Sequence, residues 1–290
     1  MSISCPGGLD TGFASLNYLQ IAILGVVQGI TELLPISSTA HMRIIPALLG
    51  WNDPGSAFSA AMQLAALAAV VSYFWRDVRE VAVGSSIAIR TRDFNSQPFR
   101  LAVAIVLATI PIGIAGLALS SVLNACNSPL RSLTVIGVSS LAMAALLAAA
   151  EFSCRHSRSM QEMRLRDALI VGIAQVGALI PGVSRSGSTL TAALFLNLKR
   201  DEAARFSFLL GLPAIALAGL KELWVLYHAH MPLEAWKLLG FGLVIASISA
   251  FCAIWGLMRF LEKFSTWPFV AYRAAMGIFL IAAVQAGFLH

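Results

Sequence analysis

The chain has 290 residues, of which 58% are hydrophobic and only 12% charged. A soluble domain averages about a quarter charged residues, and several apolar runs here exceed the roughly 18 residues that mark a spanning helix, so a soluble globular fold is excluded. The net charge of +6 resides in short stretches between apolar runs, without a basic stripe interleaved with aromatics; this argues against nucleic acid as a partner and reads as a topology signal.

The first basic residue is Arg43, so the N-terminus lacks the positive region of a signal peptide. Cys5, Cys126, Cys154 and Cys252 have neither metal-ligand nor redox spacing; Cys126 and Cys252 read as ordinary membrane-core residues. The first apolar stretch, about 17–49, is broken at Pro35-Ile36-Ser37-Ser38-Thr39. Spanning helices are predicted over 57–75, 100–120 and 131–150. A second broken stretch, about 168–198, is interrupted from Pro181 to Thr189, and further spans are predicted over 206–227, 237–260 and 268–289. At about 1.5 Å rise per residue each half of a broken stretch is too short to cross a bilayer. Both read as re-entrant helical hairpins, because non-helical backbone at membrane depth is tolerated only inside protein or beside a wet cavity.

The chain also repeats. Gly25-Val26-Val27-Gln28 returns as Gly172-Ile173-Ala174-Gln175, each ahead of its break, and Phe58-Ser59 returns as Phe206-Ser207. One hairpin plus three crossings per half makes the second half inverted in the bilayer. The expected fold is therefore an all-α polytopic membrane protein with two inverted-topology repeats in one domain over 1–290. Repeat one covers about 17–150, repeat two about 168–289, and a cytoplasmic connector 151–167 joins them. With the N-terminus outside, loops 76–100, 151–167, 199–205 and 259–263 face the cytoplasm and hold most of the basic residues, while outer loop 121–130 holds none.

The first break carries the chemistry of an acid–base site. Gln28 and Glu32 share one helix face at i, i+4, and Ser37, Ser38, Thr39 and His41 follow within apolar flanks. An ionisable group inside a membrane is a functional-site hypothesis by default. Helix capping accounts for one serine but not for Glu32 and His41 together. The second break sets Arg185 between Ser184 and Ser186, with Gly187 next. An arginine at bilayer depth costs about 2.5–3.5 kcal/mol on insertion scales. A phosphate would offset this, because a guanidinium matches its oxygens bidentately, and serine hydroxyls and backbone N–H groups at a helix start complete an anion cradle. The competing reading is an Arg185–Glu32 pair serving structure alone. Together the breaks form a phosphoryl-transfer inventory inside apolar walls, which points to a phosphate-bearing lipid.

At these residues a resemblance becomes specific. QGITELLPISSTAH and PGVSRSGST resemble the two signature regions of the undecaprenyl-diphosphatase, or bacitracin-resistance, family. Gln63-Leu64, Phe206 to Leu210 and Pro268 to Arg273 extend the similarity nearly end to end. The resemblance implies hydrolysis of undecaprenyl diphosphate to the monophosphate in the bacterial inner membrane, at a site open to the periplasm. It places the family's acidic motif on Gln28 and Glu32, its serines on Ser37 and Ser38, its histidine on His41, and its phosphate-binding segment on Ser184 to Gly187 with Thr189 just after. Two positions depart from it. Many members carry glutamate where this chain has Gln28 and Ser59, which removes acidic character and weakens a tight Mg2+ or Ca2+ site.

The resulting expectation is that Arg185 with the surrounding hydroxyls (Ser37, Thr39, Ser184, Ser186, Thr189), Gly187 and Gln28 binds the diphosphate. Ser38 attacks the terminal phosphorus or positions the attacking water, and Glu32 or His41 takes the proton. If Mg2+ or Ca2+ takes part, Glu32 is its expected protein ligand. His156, His228, His230 and His290 read as solvated, and Arg273 as a structural side chain that snorkels. The expected partners are a polyprenyl diphosphate lipid and the bilayer, with a homodimer as the candidate assembly. The type 2 phosphatidic-acid phosphatase pattern is absent; the histidine it requires after Arg185 is Thr191 here. A polyprenyl-phosphate transporter remains the alternative, because inverted repeats with a midplane anion site suit alternating access.

Overall fold

The computed structural model describes residues 11–119, 130 and 132–289. Cys5, Cys126, His290 and nearly all of the expected outer loop 121–130 lie outside the described residues. The regular structure among the described residues is helical, apart from an isolated bridge between Arg158 and Leu198. In chain order the helices are α1 Tyr18–Leu33, α2 Ser38–Leu49, α3 Ser56–Tyr73, α4 Trp75–Thr91, α5 Gln97–Ala118 and α6 Leu133–Ser153. They continue with α7 Leu165–Val176, α8 Arg185–Phe195, α9 Arg200–His228, α10 Leu233–Leu261 and α11 Trp267–Gln285. Six of them, α3, α5, α6, α9, α10 and α11, are long and apolar enough to cross a membrane, and each coincides with a predicted span. The chain is a multi-pass membrane protein.

The two broken stretches each give a pair of short helices. α1, α2, α7 and α8 have 16, 12, 12 and 11 residues, below the roughly 20 needed to span. Asn17 and Gln20 start α1 with reciprocal side-chain-to-backbone bonds. Pro35 stops it, because a residue before proline is driven out of the helical region, and Leu34 is extended at ψ 145°.

Side-chain contacts fix the helix directions. Tyr18 packs edge-on against Phe241, and Gly29 lies against Ser249, so α1 and α10 run the same way. Gly172 lies against Ala108, while Leu165 and Leu101 line one cavity, so α5 and α7 also run the same way. α3 and α9 are antiparallel, with Leu64 on Gly219 and Phe74 beside Phe208. α6 and α11 are antiparallel, with Gly137 on Gly277 and Glu151 accepting from Thr266 at 2.8 Å. Lipid tails are as apolar as leucine, so these helices gain by close approach rather than by burial alone. Gly29 and Gly172 show this: a Cβ at either would overlap the facing backbone.

One end of the bundle is basic and is held by ion pairs. Arg200 and Thr266 both donate to the buried Glu151 carboxylate, Arg205 pairs with Asp77, and Arg158 pairs with Asp167 at 2.7 Å. Two expected loops at this end are corrected. The stretch 76–100 contains α4, whose exposed Trp75, Val83, Ile87 and Ile89 alternate with Arg76, Arg79 and Arg90. That is the composition of a helix lying in a membrane interface. Positions 200–205 form the first turns of α9, where Asp201 and Glu202 suit the helix N-terminus. Cys252 lies within the spanning helix α10, as expected, on its outer surface.

Candidate active site

The two breaks meet in the interior and share a backbone geometry. Ser37 has φ 73° and ψ 97°, and Ser184 has φ 73° and ψ 127°. A non-glycine residue at positive φ costs about 1–3 kcal/mol and persists only where its surroundings hold it. Each serine caps the helix it precedes: Ser37 Oγ accepts from Ala40 N–H at 3.4 Å, and Ser184 Oγ accepts from Gly187 N–H at 3.1 Å. Each also contacts the hydroxyl two residues on, Thr39 at 3.1 Å and Ser186 at 3.2 Å. The N-termini of α2 and α8 therefore open at the same junction. The partial positive charge and unbonded N–H groups of a helix start make a ready anion site, and here two converge.

Glu32 sits at the centre, buried. Its Oε2 accepts from Gln28 Nε2 at 3.0 Å and from Ser38 Oγ at 2.5 Å; its Oε1 accepts from Arg185 Nη2 at 3.1 Å. The break between α1 and α2 makes the second contact possible by folding Ser38 back over Glu32. Gly211 on α9 leaves room for the Arg185 guanidinium, which would collide with a Cβ there. Gln28, Glu32, Ser38 and Arg185 thus form one connected group, with an amide, a hydroxyl and a guanidinium all donating to one carboxylate.

Other expected site residues do structural work. Ser186 Oγ donates to the carbonyls of Glu32 and Leu34, at 3.3 and 3.1 Å, and stitches the breaks together. Gly187 gives Arg273 room. Thr189 is fully buried behind α8, where its hydroxyl bonds the Arg185 carbonyl at 2.8 Å and meets Ser207 Oγ; it does not reach the junction. His41 donates from Nδ1 to the Ser37 carbonyl at 2.7 Å and accepts at Nε2 from Tyr272 Oη at 2.6 Å. Both ring nitrogens are thereby engaged away from Ser38. His156 bonds the Glu151 carbonyl at the basic end, and His228 and His230 lie at the far end of α9.

The snorkelling expected of Arg273 is not observed. Arg273 is 1% exposed and has no carboxylate partner among the described residues. It donates to the Pro35 carbonyl at 2.9 Å and to those of Gly182 and Val183 at 2.7 and 3.0 Å. Broken helices leave orphan carbonyls, and this guanidinium satisfies them on both breaks at once. The Pro268–Arg273 similarity was the only sequence signal for it.

A cleft of about 120 Å³ beside Thr39 and Pro181, one from each break, is also lined by Arg43, Asp53, Ser59 and Gln63. It lies at the end opposite the basic one. Larger cavities of about 220 and 250 Å³ at the basic end contain none of the break residues, so the chemistry, not the size, marks the site. The donor set does not fit a tightly held divalent cation. Both Glu32 oxygens are committed, Ser59 Oγ is bonded to the Gly55 carbonyl at 3.0 Å, and the described residues contain no group of three or more His, Cys, Asp or Glu.

Comparison with known proteins agrees with this chemistry. The family model described as "Bacitracin resistance protein BacA" matches residues 21–279. The chain is 71% identical to "Undecaprenyl-diphosphatase 2" of Mesorhizobium japonicum, over 91% of this chain and 100% of that protein. It is 50% identical to the undecaprenyl-diphosphatase of Gloeobacter violaceus, over 94% of each. It is 46% identical to that of Trichormus variabilis, over 98% of this chain and 89% of the relative.

Proposed function

The chain belongs to the bacitracin resistance protein BacA family, and on that premise we propose that it hydrolyses undecaprenyl diphosphate to undecaprenyl phosphate and inorganic phosphate. The product is the lipid carrier that is recycled for peptidoglycan and other cell-wall glycans. The observation that carries the mechanism is the 2.5 Å contact of Ser38 Oγ with Glu32 Oε2 beside Arg185. The terminal phosphate of the lipid enters at the paired helix N-termini and takes the Arg185 guanidinium from Glu32. Glu32, freed of its counter-charge, accepts the Ser38 hydroxyl proton as Oγ bonds the terminal phosphorus. The bond from that phosphorus to the bridging oxygen breaks, and undecaprenyl phosphate leaves. Glu32 passes its proton to the departing phosphate; water then attacks the phosphoserine, giving its proton to Glu32 as the bond from phosphorus to Ser38 Oγ breaks, and Glu32 returns that proton to Oγ as inorganic phosphate leaves. His41, with both nitrogens bonded elsewhere, holds the Ser37 turn rather than receiving the proton. Mg2+ or Ca2+, if present, arrives with the diphosphate; no step depends on it.

The same proposal includes two inverted repeats, about 17–150 and about 168–289, joined by 151–167. Four observations support this reading: the parallel pairs α1 with α10 and α5 with α7, the antiparallel pairs α3 with α9 and α6 with α11, the shared φ of Ser37 and Ser184, and the carbonyls of Pro35 and Gly182 bonded to one arginine. The basic end faces the cytoplasm of an inner membrane by the positive-inside rule, so the Thr39–Pro181 cleft opens to the periplasm. The test is phosphate release from undecaprenyl diphosphate by the purified protein in detergent. Release that disappears in Arg185→Ala is expected; release unaffected by that change would overturn the assignment.

A further inference from the structure

We propose that Tyr272 is a positioning residue of this site, acting through His41; the proposal rests on the hydrolase reading above. The Tyr272 hydroxyl lies 2.6 Å from His41 Nε2, and the two rings are nearly parallel, at 12° with centroids 5.7 Å apart. The other ring nitrogen lies 2.7 Å from the Ser37 carbonyl. A carbonyl only accepts, so Nδ1 carries the proton. In neutral imidazole Nε2 is then bare and accepts from the phenol. One proton arrangement satisfies all three groups, and it fixes both the tautomer and the plane of the ring.

The consequence reaches Ser38 through the backbone. Ser37 holds a positive φ of 73°, a conformation that needs external support, and the bond from His41 to its carbonyl is part of that support. Ser38 is the next residue, and its hydroxyl must stay on Glu32. Without the Tyr272 hydroxyl, the buried Nε2 has no other hydrogen-bond partner among the described residues. The imidazole is then held by Nδ1 alone and gains by turning its bare Nε2 toward another donor, which weakens the donation to the Ser37 carbonyl. Packing does not account for Tyr272, because it is 46% exposed on the outer face of α11 while its hydroxyl points inward. The neighbouring Arg273 binds the carbonyls of both breaks. Two consecutive residues of α11 thus set the site, one through the backbone of the breaks and the other through the serine turn.

The test compares purified full-length wild type, Tyr272→Phe, His41→Asn and the double variant, measuring kcat, KM and Tm with undecaprenyl diphosphate in detergent. Tyr272→Phe is expected to lower kcat at least about tenfold with KM within about twofold and Tm within about 2 °C, because the ring that holds the Ser37 turn loses one of its two anchors. The double variant is expected to be no slower than His41→Asn alone, because both changes break one chain of contacts. Tyr272→Phe with kcat near wild type overturns the proposal. So do losses that multiply in the double variant, or a Tm drop of about 10 °C or more, which assigns the hydroxyl to folding. A wild-type protein that releases no phosphate refutes the hydrolase reading instead, and the two failures are told apart by that control.

Discussion

Ser37 and Ser184 sit at the same φ, cap the helices that follow them, and touch a hydroxyl two residues on. Around that common turn the side chains diverge. The first break carries Glu32 and His41. The second has Leu179 and Ser188 at the matching positions and carries Arg185 where the first has Ser38. Even the shared glutamines differ: Gln28 donates to Glu32, whereas the buried Gln175 amide has no partner among the described residues. The difference teaches that one turn geometry can carry two different sets of side chains. In the proposed mechanism the base and nucleophile stand at one break and the counter-charge at the other.

That division of labour is exposed first by removing one member from each break. Arg185→Ala and Glu32→Gln should each lower kcat by about 10²–10⁴ in a phosphate-release assay, the range for a lost charge clamp or a lost proton acceptor. An equal loss from both would show that neither break suffices alone. Arg273→Met should act on both breaks together. Its three carbonyl acceptors lose their donor in the interior, and thermal unfolding in detergent should report a loss of about 2–4 kcal/mol.

Much of this was legible in the sequence, and the limits have physical causes. The six spans and the two proline breaks follow from apolar run length and from what proline does to the residue before it. The Gln28–Glu32 bond is the i, i+4 contact read from spacing. α4 escaped because its apolar residues are interleaved with charge, so a search for spanning runs sees a loop. The Glu32–Ser38 contact depends on how the broken chain folds back, which no helical periodicity encodes. Tyr272 and Arg273 meet the first break from more than 200 residues away, a distance over which one sequence carries no contact information. The same blindness left the proton open between Glu32 and His41, whose ring nitrogens contact Ser37 and Tyr272, and grouped Thr189 with the substrate-binding residues although its hydroxyl bonds the Arg185 carbonyl and meets Ser207.

Smaller effects sharpen the comparison. The wild type in chelator should keep more than about half its activity, whereas Gln28→Glu with Ser59→Glu should become at least about threefold stimulated by Mg2+ or Ca2+, because carboxylates create the oxygen donor set that is missing. Stimulation of the wild type to that degree would argue for a cation site that the present residues do not explain. Gln175→Leu, at the counterpart of Gln28, should leave kcat within about twofold and keep or raise Tm, since it replaces an unpartnered buried amide with an apolar side chain. Gln28→Leu should instead lower kcat, and an identical response at both positions would undo the contrast.

The most direct test is a single turnover with undecaprenyl diphosphate labelled at its terminal phosphate, quenched in acid and read for label on the protein. The account predicts label on Ser38 in the wild type. It predicts neither label nor more than about a hundredth of the wild-type phosphate release in Ser38→Ala, since no other hydroxyl among the described residues bonds the Glu32 carboxylate. Phosphate release by Ser38→Ala at near wild-type rate would contradict the account and move the attack to water.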